Sequence, residues 1–260
     1  MAEAVISFKV ASLPMRFISR YPLLFAISFS LVGASIVLGR NHAGDVFTLL
    51  IWKLTIPYDD DGDGEADEVT QPTLRYFEDP DFFHLSEEGD AVIFRTRTGD
   101  PTTKNSEYSR SELREMKKGG KDEISWGTND GKVHNLTIEA AINAIPKKKP
   151  HVVCVQIHDA EDDILMVRLE GKKLFLERNG ADDVMLNDNY ELGTFFNLML
   201  ICDGGRIRAL FERKQVMEWK IERDGLYFKA GCYLQSNLEK GDKADAFGEV
   251  AIRKLYVTHK

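Results

Sequence analysis

Short runs of strand-forming residues, separated by glycine and aspartate turns, fill the chain after residue 45 and restrict its fold more than any other feature. One example is "ILMVRLE" at 164–170, which is followed by Gly171 and Lys172 and then by "KLFLER" at 173–178. Helical periodicity is rare in this region, whereas many evenly spaced short strands are typical of a β-sandwich or jelly roll. We therefore predict an all-β fold, organised as one domain over residues 45–260.

Three of the predicted strands carry polar or aromatic side chains at every second position. Successive side chains of a strand point to opposite faces, so each strand presents one row of side chains to each face. In "VVCVQIH" at 152–158, for example, Val153, Val155 and Ile157 point to the core. The predicted polar rows are Tyr108, Arg110, Glu112, Arg114 and Met116; Cys154, Gln156 and His158; and Tyr227, Lys229, Gly231, Tyr233 and Gln235.

The composition of these rows indicates a binding surface. A solvated outer face is the usual explanation for alternation, but such faces favour Thr, Ser, Lys and Glu. These rows combine Arg, Gln, His, Tyr and Lys, which bind carboxylates and move protons. If the three strands are neighbours, they build a wet, cationic sheet surface for an anionic ligand. The net charge of −8 argues against a general nucleic-acid-binding protein.

A polyuronate chain is one ligand that such a surface would suit. Its carboxylates would be attracted to Arg110, Arg114 and Lys229. Its hydroxyls would bind Glu112, Gln156 and Gln235. The hydrogen at C5 of a uronate is α to the carboxylate, so its removal gives an enolate-like carbanion that expels the O4 leaving group.

Each of these reaction steps has a candidate residue. Arg110 and Gln156 can neutralise the charge that builds up on the carboxylate, which is the largest single catalytic requirement. His158 can accept the C5 proton, and Tyr233 can protonate the leaving oxygen or act as both base and acid. The scheme requires no metal or organic cofactor. Taken singly, His158 also fits a structural strand histidine, and the Arg-x-Glu-x-Arg row fits a surface ion-pair ladder.

The motifs "RSELRE" at 110–115, "QIH" at 156–158 and "YFKAGCYLQ" at 227–235 occur together in one order, and "WKLTIP" at 52–57 precedes them. In this order and approximate spacing, from about residue 45 to residue 260, the chain resembles the alginate lyases of polysaccharide lyase family 7. The resemblance implies a β-jelly roll, a concanavalin-like sandwich of two antiparallel sheets, whose concave sheet forms a cleft for alginate. It also implies β-elimination, with the catalytic residues at Arg110, Gln156, His158 and Tyr233.

Two positions within these motifs bear on how the resemblance applies. Family members with isoleucine between the Gln and the His tend to accept guluronate-containing blocks, so Ile157 weakly favours such substrates. Relatives commonly carry asparagine where this chain has Cys232, on the core-facing row, so we expect little effect on catalysis. A lyase acting on another polyuronate such as glucuronan, and a non-catalytic carbohydrate-binding protein of the same fold, remain the alternatives.

The acidic segment "DDDGDGEADE" at 59–68 has the beginning of a calcium loop. Its candidate ligands are Asp59, Asp61 and Asp63 at alternate positions before Gly64, with Asp67 as a later ligand. The twelfth position is Thr70 instead of the bidentate Glu that an EF-hand needs. A structural calcium and a merely solvated acidic turn are both open, and the chemistry requires neither.

Residues 1–40 have the layout of a targeting segment. Lys9, Arg16 and Arg20 precede an uncharged run at 22–39. A signal peptide cleaved after Ala34 is the first expectation and an uncleaved signal anchor is the second, with a buried helix or a misplaced start codon as the alternative. We therefore expect a secreted or extracytoplasmic monomer that touches a membrane only through this segment. Three cysteines imply no disulfide framework.

Overall fold

A computed structural model describes residues 40–260 of the protein. Within this range the chain is built from antiparallel β-strands and short 3₁₀ helices, which confirms the all-β prediction. The 3₁₀ helices are Ala43–Asp45, Thr73–Tyr76 and Leu238–Lys240. The strands are β1 (Trp52–Thr55), β2 (Glu68–Val69), β3 (Phe83–Leu85), β4 (Val92–Arg97), β5 (Arg110–Glu115), β6 (His134–Ala144), β7 (His151–His158), β8 (Asp163–Glu170), β9 (Lys173–Arg178), β10 (Ala181–Asn187), β11 (Phe196–Asp203), β12 (Arg206–Phe211), β13 (Lys214–Lys220), β14 (Tyr227–Leu234) and β15 (Phe247–His259).

These strands form two antiparallel sheets. The first sheet has eight strands in the order β10-β9-β8-β7-β14-β5-β1-β2, and the second has seven in the order β13-β12-β11-β6-β15-β4-β3. Non-consecutive neighbours such as β14 and β5 show that the chain crosses repeatedly between the sheets, as in a jelly roll. The three strands predicted to carry polar rows, β5, β14 and β7, are adjacent in the first sheet.

The hydrophobic core lies between the sheets and is filled by the apolar rows. Leu113, Ile157 and Phe228 of the first sheet are fully buried, as are Ile138 and Leu200 of the second. Each such side chain contributes about 1.5–3 kcal/mol relative to an exposed position. Burial of these rows fixes the register, because a slip of one residue would turn every core side chain outwards. The opposite rows of β5, β7 and β14 are thereby held on the outer face of the first sheet.

Among the three strands with polar rows, the alternation of core and outer side chains is broken in β7. The pairing of β7 shifts between Val153 and Val155 relative to both neighbouring strands. This β-bulge places Cys154 in the main core beside Val155, while Val153 pairs with Tyr233 of β14 and is buried outside that core. The prediction that Cys154 shares a face with Gln156 and His158 is therefore wrong. Cys232, in contrast, lies in the core as predicted.

Gly231 allows β14 to approach β5 closely at the centre of the first sheet. A Cβ atom at this position would lie 2.5 Å from the backbone oxygen of Ser111 and 2.7 Å from the Cα of Glu112. The φ angle of Gly231 is 150°, which side-chain-bearing residues rarely adopt. A glycine here thus brings the polar rows of the two strands together.

The targeting segment predicted at 1–40 lies outside the described residues except for Arg40. From that residue to the C-terminus, none of the helices has the length and apolar character needed to cross a bilayer.

Candidate active site

The strand register brings the predicted catalytic residues onto one face of three adjacent strands. Arg110 of β5 pairs with Tyr233 of β14, and Lys229 of β14 pairs with Gln156 of β7. His158, at the end of β7, pairs with Tyr227. Directly paired residues have Cβ atoms about 4.5–5.5 Å apart, so these pairs form a continuous cluster of polar side chains along β14.

Glu112 is the centre of this cluster and lies beneath its surface. Its Oε2 accepts hydrogen bonds from Arg110 Nη1 and Lys229 Nζ, both at 3.1 Å. Its Oε1 accepts from Gln156 Nε2 at 2.5 Å. The residue is only 1 % exposed, and protein donors occupy both of its carboxylate oxygens. The sequence-based expectation that Glu112 binds sugar hydroxyls is therefore wrong.

Glu112 is held in the charged state by these neighbours. Burial by itself raises the pKa of the Glu112 carboxyl, but the charges of Lys229 and Arg110 and the Gln156 hydrogen bond outweigh it and leave the pKa below its ordinary value. A buried carboxylate with two cations fixes their positions without consuming their remaining N–H donors. Glu112 thus orients the groups that face the cleft.

Lys229 is the most strongly perturbed cation of the site. Burial lowers the pKa of its ammonium group to about 8, and the attraction of Glu112 opposes this shift only in part. Lys229 is therefore charged at neutral pH and loses its charge in mildly alkaline solution.

Arg110 and Tyr233 form a stacked pair beside Glu112. The guanidinium carbon of Arg110 lies 3.8 Å from the centroid of the Tyr233 ring, which is a cation–π geometry. The Tyr233 hydroxyl is 3.1 Å from Ser106 Oγ, a contact that the sequence did not indicate. Within residues 40–260 the buried Nε of Arg110 has no hydrogen-bond partner. Arg110 thus has an N–H donor without a protein partner next to the phenol of Tyr233.

His158 is oriented by its Nδ1 atom. This nitrogen lies 2.5 Å from the carbonyl oxygen of Asp159, which can only accept, so Nδ1 carries the proton and neutral His158 has its lone pair on Nε2. Tyr227 stacks on the imidazole at a centroid distance of 5.5 Å and places its hydroxyl 3.2 Å from Nδ1. Burial, together with the charge of Lys229, lowers the pKa of His158, so the neutral form with a free Nε2 dominates at pH 7.

The other two predicted substrate-binding residues lie at the ends of this cluster. Arg114 stacks on the Tyr227 ring at 4.0 Å and is 3.2 Å from the carboxylate of Glu123. Gln235 follows the last residue of β14, and its amide nitrogen donates to the Leu234 carbonyl oxygen. Arg114 is thus part of the cationic face, whereas Gln235 is held by its own backbone.

The acidic loop brings together part of the predicted calcium set. Carboxylate oxygens of Asp59, Asp61 and Asp67 lie within 4.8 Å of one another, and Asp63 is outside this group. The oxygens of Asp59 accept backbone N–H groups of Gly62, Asp63 and Gly64, which stabilises the turn without an ion. Calcium binding here stays a prediction.

Comparison with known proteins identifies the family of the chain. The sequence profile of the family described as alginate lyase matches residues 47–259. The chain is similar to the alginate lyase AlgAT5 from polysaccharide lyase family 7, with 42 % identity, a TM-score of 0.80, and coverage of 84 % of this chain and 99 % of that one. It is also similar to the alginate lyase from Corynebacterium sp., with 32 % identity, a TM-score of 0.81, and coverage of 85 % and 100 %.

A curated alginate lyase of Klebsiella pneumoniae is 43 % identical over 83 residues, which is 32 % of this chain and 27 % of that protein. This match therefore spans about a quarter of the curated relative. The two-sheet fold, the polar face of β5, β14 and β7 and the family match together define a polysaccharide lyase of the β-jelly-roll class. The chain belongs to the alginate lyase family, polysaccharide lyase family 7.

Proposed function

We propose that this lyase cleaves the 1,4-glycosidic bonds of alginate by β-elimination. The observation that carries the proposal is that the buried carboxylate of Glu112 binds both Arg110 and Gln156, on the sheet face that also carries His158 and Tyr233. The names of its relatives, which are alginate lyases, support the choice of polymer.

The first half of the reaction is removal of the C5 proton. The uronate carboxylate binds the free N–H groups of Arg110 and Gln156, which offset the second negative charge that develops on its oxygens. Nε2 of His158 takes the C5 proton when that hydrogen lies on its side of the ring. When the hydrogen lies on the other side, Tyr233 as its phenolate takes the proton on its oxygen, and this is the proton that it gives to O4 in the second half.

In the second half the C4–O4 bond breaks as the C4–C5 double bond forms. Tyr233 delivers a proton to O4, which leaves as the new reducing end. The other product carries an unsaturated uronate at its non-reducing end. Because Glu112 holds Arg110 and Gln156 before substrate arrives, little reorganisation is needed when the charge develops.

A weak preference for guluronate-containing blocks is the finer part of the proposal. It rests on Ile157, which is fully buried in the core. Its effect on substrate choice is therefore indirect and acts through the positions of Gln156 and His158 on either side of it. A lyase acting on another polyuronate such as glucuronan, and a carbohydrate-binding protein without turnover, are the alternatives that experiment has to exclude.

The deciding assay follows the ultraviolet absorbance of the new conjugated double bond with alginate, polyguluronate, polymannuronate and glucuronan. We expect absorbance to rise with alginate and not with glucuronan. Tyr233→Phe and His158→Ala should lose most turnover, whereas Tyr256→Phe, at a tyrosine that is 60 % exposed on β15, should not. No absorbance on any polymer would favour the binding protein, and a Tyr233→Phe variant with a normal rate would remove that phenol from the chemistry.

We also propose that the enzyme acts outside the cytoplasm as a monomer, exported or tethered through residues 1–40. An extended anionic polymer is too large to enter a cell intact, and this supports an exported enzyme. The proton transfers described above use side chains of the chain itself and require no organic cofactor.

A further inference from the structure

A row of four titratable side chains crosses the core behind the active site. Glu115 Oε1 lies 2.6 Å from His259 Nε2. His259 Nδ1 lies 2.6 Å from His134 Nδ1, and His134 Nε2 lies 3.0 Å from an oxygen of Asp130. The row, which we call the Glu115 relay, joins β5 of the first sheet to β15 and β6 of the second.

The contacts of the Glu115 relay use all four imidazole nitrogens. Each Nε2 atom of the histidine pair lies against a carboxylate oxygen, which can accept an N–H. The two Nδ1 atoms face each other, so the orientation of each ring is fixed at both of its nitrogens.

The relay runs from the buried Glu115 and His134 to Asp130, which is exposed at the surface. Trp126 stacks on His134 at a centroid distance of 4.6 Å, and Glu115 is fully buried. Cys202 of β11 pairs with His134, and burial raises the pKa of its thiol, so it stays neutral. The titratable groups that face the pair are Glu115 from β5, Asp130 from the loop before β6, and Cys202 from β11.

Glu115 also replaces a missing backbone bond of the active-site strand. The ladder between β5 and β14 ends at the pair Arg114 and Lys229. One residue further, the N–H of Phe228 donates to Glu115 Oε2 at 3.0 Å, and Trp126 Nε1 donates to the same oxygen at 3.1 Å. Phe228 lies between Tyr227, which contacts His158, and Lys229, which contacts Glu112.

We propose that Glu115 is a positioning residue of the active site, held in place by its contact with the His259–His134 pair. Its hydrogen bond with the Phe228 N–H fixes the position of the first residues of β14 relative to the cleft. It thereby positions Lys229 and the Tyr227–His158 pair. The catalytic part of this inference rests on the lyase function proposed above, whereas the hydrogen bonds do not.

The first test compares two substitutions of Glu115 in the full chain. Glu115→Ala removes the acceptor of the Phe228 N–H. In Glu115→Gln the amide oxygen can take the place of Oε2, and the amide NH₂ group can donate to Nε2 of His259, which then carries its proton on Nδ1. The matched control is Glu139→Gln, at an exposed ion pair with Lys254 on the second sheet.

We expect hydrogen exchange of the Phe228 amide to accelerate in Glu115→Ala, and kcat on alginate to fall about a hundredfold with little change in KM, the size of effect that a displaced catalytic group gives. Glu115→Gln should restore slow exchange and most of kcat. Slow exchange and a normal kcat in Glu115→Ala would overturn the proposal. If the wild type fails to cleave alginate, the proposed function fails, and the exchange measurement alone decides the role of Glu115.

The second test uses the wild type and remains usable if Glu115→Ala does not fold. The Phe228 amide should exchange as slowly as the ladder amides of β14, because Glu115 Oε2 accepts its hydrogen bond. A Phe228 amide that exchanges as fast as an exposed loop amide would overturn the positioning role.

Discussion

Replacing Glu112 with glutamine tests the centre of the active site, because it removes a negative charge and changes the shape of the side chain very little. The substitution leaves Arg110 and Lys229 buried beside a neutral amide. Removal of one partner from a buried ion pair costs about 3–5 kcal/mol, because the remaining charge is left without compensation. With a urea m-value of about 2 kcal/mol/M, this corresponds to a midpoint lowered by roughly 2 M.

This loss of stability should depend on pH. Lys229 has a pKa of about 8 in the wild type, and loss of the Glu112 charge lowers it further. Because the folded pKa is below the unfolded one, burial of Lys229 destabilises the fold at low pH, and stability rises as pH increases through the folded pKa. In Glu112→Gln this rise begins at lower pH. The difference between the proteins is therefore largest near pH 6 and smaller at pH 9, where Lys229 is neutral in both.

Urea denaturation at pH 6 and pH 9, with kcat measured on alginate, checks this prediction. Activity should fall by about a hundredfold, since Arg110 and Gln156 both lose their anchor. Glu139→Gln is the matched control, and its exposed ion pair should cost less than about 1 kcal/mol at either pH. A Glu112→Gln protein within 1 kcal/mol of the wild type at both pH values, with a normal kcat, would refute the network as described.

Two further predictions concern neighbouring residues. The pH profile of kcat/KM should have an acid limb below pH 6.5, where His158 becomes protonated, and an alkaline limb near pH 8, where Lys229 loses its charge. Lys229→Arg should shift the alkaline limb to higher pH. An unchanged alkaline limb would show that another group causes it. In urea titrations, Gly231→Ala should destabilise the fold by about 1–3 kcal/mol more than Gly180→Ala. The reason is that a Cβ atom at 231 would clash with the backbone of Ser111, whereas a Cβ atom at 180 has nothing within 4 Å. Equal losses of stability would mean that β14 and β5 can move apart without a free-energy cost.

The sequence predicted the fold class and the polar row of each strand, because period-two alternation and turn residues are local signals. The alternation put Gln156 and His158 on one face of their strand, as the structure has them, whereas the adjacency of β5, β14 and β7 came from the structure. The alternation was wrong at Cys154, since a β-bulge changes the facing of a strand without leaving a mark in the polar and apolar pattern. A bulge of this kind is set by the neighbouring strands.

Contacts between distant segments were the part that the sequence could not supply. Glu115 and His259 are 144 residues apart, and nothing in "RSELRE" indicates that its last glutamate meets the final strand. Ser106 and Tyr233 are likewise separated by 127 residues. Tyr227 was within reach of the sequence, because it belongs to the predicted polar row, but its contact with His158 required the register between β14 and β7.

Glu112 and Glu115 show why the sheet keeps two buried carboxylates. Both are on β5, on opposite faces, and each is almost fully buried. Buried ion pairs are often no more stable than apolar residues of the same volume, so stability alone does not explain these two. Both accept hydrogen bonds from β14: Glu112 from the Lys229 side chain and Glu115 from the Phe228 backbone N–H. Their common consequence is that the donors of the cleft are fixed before substrate binds, which is the condition for stabilising a second negative charge on a uronate.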